Sequence, residues 1–296
     1  MKKKIFITGI SSEIILAFIN RIDMTVYEIY GLTRNPENVN TNSNIKLIKG
    51  DIRDISTVQN FLKKCSIIIH AAAVTHSFNE KEYFDINLEA TKELIDLANQ
   101  CGIKKFIFIS SNTAGEDSGA YGKTKFLAEK YIKNNFRNWL ILRPAEVYGG
   151  NKNEGIEKFI SGITKNPIAP YPAGVPTKLY PVHLDDAAEI IYKVIFEEEI
   201  TNEKITICGP VGYSFPELLQ LIKYYKEKPL YSIPVSKYFM FFIEKIARKI
   251  PFYIGIIPDQ IPRLYSKKNS GTTFYRRGKK SLKTYLRERL LSKVGS

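Results

Sequence analysis

A chain of 296 residues with 44% hydrophobic content can bury one large domain, or a major and a minor lobe. Cys65, Cys101 and Cys208 are too few and too scattered for a disulfide framework or a metal site. No long apolar stretch with a cleavage site follows Met1, so a cytoplasmic setting is expected. The net charge of +14 is uneven: from Arg263 onward, eleven Lys or Arg stand against one acid, Glu288. Such a tail suits a phosphorylated ligand or anionic lipid, or is a solvated basic face. It has no zinc-finger, RNP-type or coiled-coil pattern, so nucleic acid is not expected as a partner.

Along the chain, short β-rich runs alternate with helical stripes. "KIFIT" (4–8) leads into Ile14, Ile15, Phe18, Ile19 and Ile22, which share a helix face. "VYEIYGL" (26–32), "IKLIK" (45–49), "SIIIH" (66–70), "KFIFIS" (105–110) and "WLILR" (139–143) read as further buried strands, and "NPENVNTNSN" (35–44) as a surface loop. Helical stripes at 87–101 and 123–132 separate the last three strands. Strand and helix in alternation imply an α/β fold, a Rossmann-type doubly wound parallel sheet. After Gly149-Gly150 the texture turns to Gly and Pro punctuation ("NPIAPYPAGVP"), then a helix near 184–197 and a strand "KITIC" (204–208). These shifts divide the chain into a sheet domain, 1–151 plus 180–208, and a smaller interleaved C-terminal lobe, 152–179 plus 209–296. Within "YFMFFIEKIARKIPFYIGII" (238–257), Glu244, Lys245, Arg248 and Lys249 argue against a membrane span and for an amphipathic helix.

The chemistry concentrates in "ISSNTAGEDSGAYGKTK" (109–125). A strand ends at Ser110-Ser111, at the carboxyl edge where doubly wound sheets place ligands. If a helix starts near Tyr121, Lys125 lies one turn further along the same face. A phenol must fall from about 10 toward neutrality to act as acid and base, roughly 4 kcal/mol of differential stabilisation. An ammonium one turn away, together with a positive nicotinamide ring, is expected to supply it. Ser111 would then place the substrate hydroxyl or carbonyl.

These features resemble the extended short-chain dehydrogenase/reductases, the NAD(P)-dependent nucleotide-sugar epimerases, dehydratases and ketoreductases. The likeness runs through "FITG", "GDIRD" (50–54), "IIHAAA" (68–73), Asn87 opening the next helix, "FIFISS", "YGKTK", "LRPAEVYGG" (142–150), "PVHLDDAA" (181–188) and "KSLKTYLRERL" (280–290). It implies that the sheet domain is a dinucleotide-binding domain and the smaller one a substrate lobe, with Ser111, Tyr121 and Lys125 as catalytic residues. For the cofactor it implies Thr8, Gly9, Ser11, Ser12, Glu13 and Ile14 of the first loop, Arg34, Asp51 and Ile52 at the adenosine end, and Ala71, Ala72, Ala73, Asn87, Ser110 and Pro144, besides Tyr121 and Lys125. For the substrate it implies Thr75, Ser111, Asn112, Glu146 and Val147. A homodimer through the helices bearing the Tyr-Lys pair is a further expectation from the resemblance.

Three departures qualify that likeness. The family loop is Thr-Gly-x-x-Gly-x-x-Gly, and here only Gly9 remains; Ser12 and Ile15 replace the other two. Ile15 must push the helix outward or fill a gap left by a smaller neighbour. Thr33-Arg34 follow the second strand where NAD-selective relatives carry an acid, which favours NADP over NAD. Asn112-Thr113 follow Ser111 where dehydratases carry Asp-Glu, and Glu116 and Asp117 lie too far along to replace them. A 4-epimerase or a keto-sugar reductase acting on a nucleotide sugar, in surface-polysaccharide sugar synthesis, remains. The basic tail also suits a lipid-linked sugar and peripheral membrane contact. The alternative is a non-catalytic NAD(P)-sensing regulator with a degenerate loop. His76, just past the fourth strand, either faces the cleft or is an ordinary loop residue; His183, Asp185 and Asp186 read as structural.

Overall fold

The computed structural model describes residues 2–40, 45–151, 155–226, 229–249, 257–266 and 274–291. In chain order the strands and helices begin with β1 (Lys3–Thr8), α1 (Glu13–Ile19), β2 (Tyr27–Thr33), β3 (Ile45–Lys49), α2 (Gln59–Leu62) and β4 (Ile67–His70). Next come α3 (Glu80–Glu82), a π-helical segment (Tyr83–Glu89) and α4 (Ala90–Gln100), then β5 (Lys105–Ile109), α5 (Gly119–Asn135), β6 (Trp139–Pro144) and β7 (Val147–Tyr148). The second half holds α6 (Gly155–Lys165), β8 (Ile168–Pro172), β9 (Val182–His183), α7 (Leu184–Tyr192) and β10 (Glu203–Cys208). It ends with α8 (Phe215–Tyr225), β11 (Tyr231–Val235), α9 (Lys237–Lys249), α10 (Gln260–Tyr265), β12 (Phe274–Arg277) and α11 (Leu282–Leu291).

Eight strands form one parallel sheet in the order β12-β10-β6-β5-β4-β1-β2-β3. Central strands of such a sheet lose both faces to helices and so read as continuous apolar runs. Ile5, Phe6 and Ile7 of β1 are fully buried, with their side chains divided between the two faces. One face carries α1 and α7, whose Ile15, Phe18, Ala187, Ala188 and Ile191 share a core with Ile5, Ile7 and Ile29. The other carries α2, α4 and α5, whose Leu62, Leu94, Ile95, Ala128 and Ile132 pack with Phe6, Ile68 and Phe106. A separate cluster built by α6, α8 and α11, with Tyr148, Ile160, Leu218 and Leu286, forms the smaller lobe.

Two elements depart from the sequence reading. β12 lies in the stretch assigned to the substrate lobe, yet it joins the main sheet beside β10; four residues that include Arg276 and Arg277 carry no apolar alternation to announce an edge strand. The Pro-punctuated segment holds β8, which pairs with β11 in a two-stranded sheet. Pro170 and Pro172 cannot donate to a ladder, and such residues are tolerated only at edges. Among the described residues no helix is long and apolar enough to cross a membrane. α9 turns Tyr238, Phe239 and Phe242 to solvent, while 250–256 of that aromatic stretch, 267–273 and 292–296 of the basic tail, and 41–44 of the predicted loop lie outside the described residues.

Ile15 is 0% exposed and shares a core with Ala187 and Ala188 of α7, the helix packed against α1. Restoring glycine there removes a filled volume as well as helix propensity. Ile15→Gly is expected to destabilise the protein by about 3–5 kcal/mol in urea unfolding; an unchanged midpoint would mean that α1 can slide in and close the gap.

Candidate active site

The strand order reverses between β1 and β4, and at such a switch point a crevice opens beyond the carboxyl ends. Gly9 leaves β1 with φ +68°, and a Cβ on it would sit 2.5 Å from the Ala72 nitrogen and 2.6 Å from the Ala71 carbonyl carbon. Only glycine satisfies both conditions. The facing loop after β4 is held from behind. Thr8 Oγ1 accepts from the Ala72 N–H (3.2 Å) and is hydrogen-bonded to His70 Nδ1 (2.6 Å), and His70 Nε2 meets Thr91 Oγ1 (2.8 Å). Burial holds His70 down at about 3, so the ring stays neutral in this chain. Asn87 accepts from the Val74 N–H (2.8 Å) and donates to the Val74 carbonyl (2.9 Å).

Between these walls runs a groove of about 770 Å³. Thr33, Arg34, Asp51 and Ile52 line one end; Gly9, Ser11, Ser12, Glu13, Ile14 and Ala71 to Ala73 line the middle; Thr75, His76, Ser110, Ser111, Tyr121, Lys125, Pro144 and Val147 line the other. Ser12 is the N-cap of α1, but its hydroxyl takes no helix N–H, which leaves first-turn amides available to an anion. The Glu13 carboxylate reaches across to accept from the Asn151 N–H at 2.7 Å. Asp51 is gripped by Arg53 through Nε (3.0 Å) and a terminal nitrogen (2.8 Å), which, with Arg34 nearby, holds its carboxyl at about 2. A glycine turn, open helix amides and an elongated groove fit a pyridine dinucleotide, with its adenosine toward Arg34 and its reactive ring toward Ser111.

α5 carries the Tyr121 and Lys125 that the sequence singles out. Its buried face includes Tyr121, Lys125 and Glu129, each one turn apart. Ser111 stands beside the Tyr121 phenol, where it favours the ionised form, and meets Thr113 Oγ1 at 2.9 Å. Lys125 donates to the Ile109 carbonyl (2.8 Å) and lies 4.3 Å from the centre of the Phe108 ring, and burial pulls its ammonium down to about 7. Glu129 and Arg143 form a buried two-point ion pair, Nε to Oε1 at 2.7 Å and a terminal nitrogen to Oε2 at 2.6 Å, with Ser110 donating to the same carboxylate. That pair fixes the depth of α5 against β5 and β6.

The profile of the NAD dependent epimerase/dehydratase family matches residues 5–208. The chain belongs to this family. Among curated relatives, UDP-glucose 4-epimerase of Vibrio cholerae is 24% identical over 79% of each chain. Subunit 9 of the NADH dehydrogenase [ubiquinone] 1 alpha subcomplex, mitochondrial, from Dictyostelium discoideum is 27% identical over 72% of this chain, which spans 60% of that relative's length. Among solved structures, a Bacillus cereus UDP-glucuronic acid 4-epimerase variant in complex with NAD and a fluorinated UDP-glucuronic acid superposes with a TM-score of 0.67 at 19% identity. That match covers 79% of this chain and 86% of the other.

Within this family member, several expectations from sequence need correction. Thr8 and Asn87 do not line the groove; 0% and 1% exposed, they act from behind by fixing the loop that does. Asn112 and Glu146 also lie off the groove wall: the Asn112 N–H is tied to the Pro144 carbonyl (3.0 Å) and the Glu146 carbonyl accepts from Val182 (2.9 Å). The expected acidification of Tyr121 by Lys125 is not what the geometry shows. Lys125 donates to the Ile109 carbonyl, burial pushes the phenol up, and the cation that opposes this is Arg263. His76 does line the groove, whereas His183 accepts from the Asp185 N–H to cap α7. Sequence reasoning passed over Glu129, Arg143, Asp259 and Arg263. The first two had a signal, acid and base on otherwise apolar buried faces; the last two had none, since nothing in their local pattern predicts where α10 docks.

Lys125 binds its proton less tightly in the fold, about 7, than at the ordinary lysine value of 10.5. Between these pH values the unfolded chain carries more protons, so this position's contribution to stability rises as pH climbs through that window. Wild type should therefore gain stability relative to Lys125→Met between pH 7 and pH 10 in urea unfolding; a constant difference would show the ammonium to be solvated.

Proposed function

We propose that the protein is an NAD(P)-dependent oxidoreductase working at a carbinol carbon of a nucleotide-activated or lipid-linked sugar, with keto-sugar reduction favoured and 4-epimerisation second. One observation carries the reading: Ser111, Tyr121 and Lys125 stand on the wall of the same groove whose middle holds Gly9 and whose far end is made by Arg34 and Asp51. A bound pyridine dinucleotide supplies hydride chemistry at the Ser111 end. Ser111 holds the substrate oxygen beside the phenol. Because burial keeps Tyr121 protonated well above neutrality, its O–H is ready to give a proton to a carbonyl oxygen that is becoming a hydroxyl, and the same oxygen takes the proton back in the oxidative direction. Lys125, poised near 7, can gain positive charge when an anionic ligand enters. Elimination of water is disfavoured, because Asn112 and Thr113 replace the acid pair expected after Ser111 and Glu116 is exposed and bound to Lys130.

Arg34 supports NADP: it is exposed at the groove's adenosine end, and the stretch that closes β2 and follows it, Leu32-Thr33-Arg34-Asn35, contains no acid. Loss of a charge-assisted contact to a 2′-phosphate weakens binding by about tenfold or more. Arg34→Ser should lower affinity for NADPH by that factor in calorimetry and leave NADH unchanged; equal loss for both would assign Arg34 a structural part only.

The activity test is incubation of purified protein with nucleotide sugars and 4-keto sugars, with and without NADPH. Oxidation of NADPH that depends on a keto sugar is expected, with Tyr121→Phe reducing turnover by about 100-fold or more and retaining dinucleotide affinity. Interconversion without added reductant would establish epimerisation instead. Dinucleotide binding with no turnover of any sugar would favour the second reading, a dinucleotide-sensing protein. That reading draws on the loss of two loop glycines and on the similarity to the Dictyostelium NADH dehydrogenase subunit.

A further inference from the structure

Among the described residues, the smaller lobe reaches the Tyr121 phenol through Asp259 and Arg263. Asp259, immediately before α10, accepts from the Ala120 N–H and, at 3.4 Å, from the Tyr121 N–H. It thereby caps the first turn of the helix that carries the phenol. Gly119, at φ +65°, makes room: a Cβ there would collide with the Asp259 carboxylate. One turn along α10, Arg263 gives its Nε proton to Asp259 (2.6 Å) and a terminal N–H to the Thr75 carbonyl (3.0 Å) and the Tyr83 hydroxyl (3.3 Å). These acceptors lie around the edge of the guanidinium, so its flat face is left for a ring. That ring is Tyr121, whose centroid is 4.2 Å from the guanidinium carbon. The arginine side chain is only 12% exposed.

Resting on the reading of Tyr121 as acid and base, we propose that Arg263 is its positioning residue: it holds the phenol ring in place and supplies the positive charge that the ionised form needs. A cation over an aromatic face is attracted to the neutral ring and more strongly to a ring bearing negative charge, and exclusion of water enlarges both effects. The groups facing the phenol are Arg263 and Asp259 from the smaller lobe, Tyr83 from the π-helical segment, and Ser111 from the end of β5, with Lys125 on α5 itself. Arg263 opposes the burial that raises the phenol, Asp259 adds to it, and Lys125 is engaged with Ile109. The acid–base group is thus tuned from the smaller lobe, through a residue that also pins the Thr75 wall of the groove.

The test replaces Tyr121 of the full chain with 3,5-difluorotyrosine, whose lower intrinsic proton affinity brings its titration into the pH range where proteins stay folded, and follows it by fluorine NMR. The readout needs no turnover, so it stands apart from the success or failure of the proposed activity. Arg263→Gln should raise the titration midpoint by about one pH unit, and Arg263→Lys should return part of the way. Asp259→Asn, which leaves Arg263 without its counter-charge, should lower the midpoint. The double variant Asp259→Asn/Arg263→Gln should still titrate above wild type. A folded Arg263→Gln protein with the wild-type midpoint would overturn the proposal. So would a double variant restored to the wild-type midpoint, since Arg263 would then act only by neutralising Asp259. If Arg263→Gln does not fold, Asp259→Asn decides: a downward shift supports the assignment, and no shift refutes it.

Discussion

The groove exists because the chain turns out of β1 through a left-handed glycine pressed against the backbone of the loop that leaves β4. Any side chain at Gly9 would drive Ala71 and Ala72 away, and with them one wall of the cavity. The wall is kept in register from the far side by Thr8 and Asn87, buried groups whose hydrogen bonds end on Ala72 and Val74. Buried polar side chains persist where they are satisfied, and here their satisfaction consists of holding a ligand-facing loop. The residues that shape such a site and those that touch its contents are different sets.

Loss of the loop's second and third glycines illustrates how packing compensates. The third position lies on the inner face of α1, where contact is with the sheet and α7, not with the groove. Isoleucine there is buried in a core that α7 enters with two alanines, small residues that leave volume for a larger neighbour. Ser12 faces the groove but leaves the first helical amides uncapped, so the electrostatic features of an anion site survive without the glycine.

α5 is the element that brings polar side chains to this end of the groove. Three polar residues face inward at successive turns, and each is balanced differently: Tyr121 by Ser111 and Arg263, Lys125 by the Ile109 carbonyl, Glu129 by Arg143 and Ser110. A buried pair such as Glu129–Arg143 contributes positioning more dependably than stability. With the helix anchored at depth by that pair and capped at its N-terminus by Asp259, the phenol has little freedom to move. Both lobes therefore set where Tyr121 stands.

Alternation of apolar runs and helical stripes was enough to read the parallel sheet, because a strand buried on both faces leaves no choice of residue type and its signal is local. The seven sheet strands other than β12, the grouping of Ser111, Tyr121 and Lys125, and the glycine turn were legible for that reason, as was the mismatch at Ile15. Tertiary structure alone decided which way each polar group points. Thr8 and Asn87 sit in the motifs expected of contact residues, yet their side chains are engaged by the backbone of the loop after β4, and Asn112 and Glu146 lie off the groove wall. It also decided that a short basic edge strand completes the sheet, and that the cation over Tyr121 comes from a helix 142 positions away from it in the chain. Contacts over such separations depend on how lobes dock, and no local pattern of residue types encodes that.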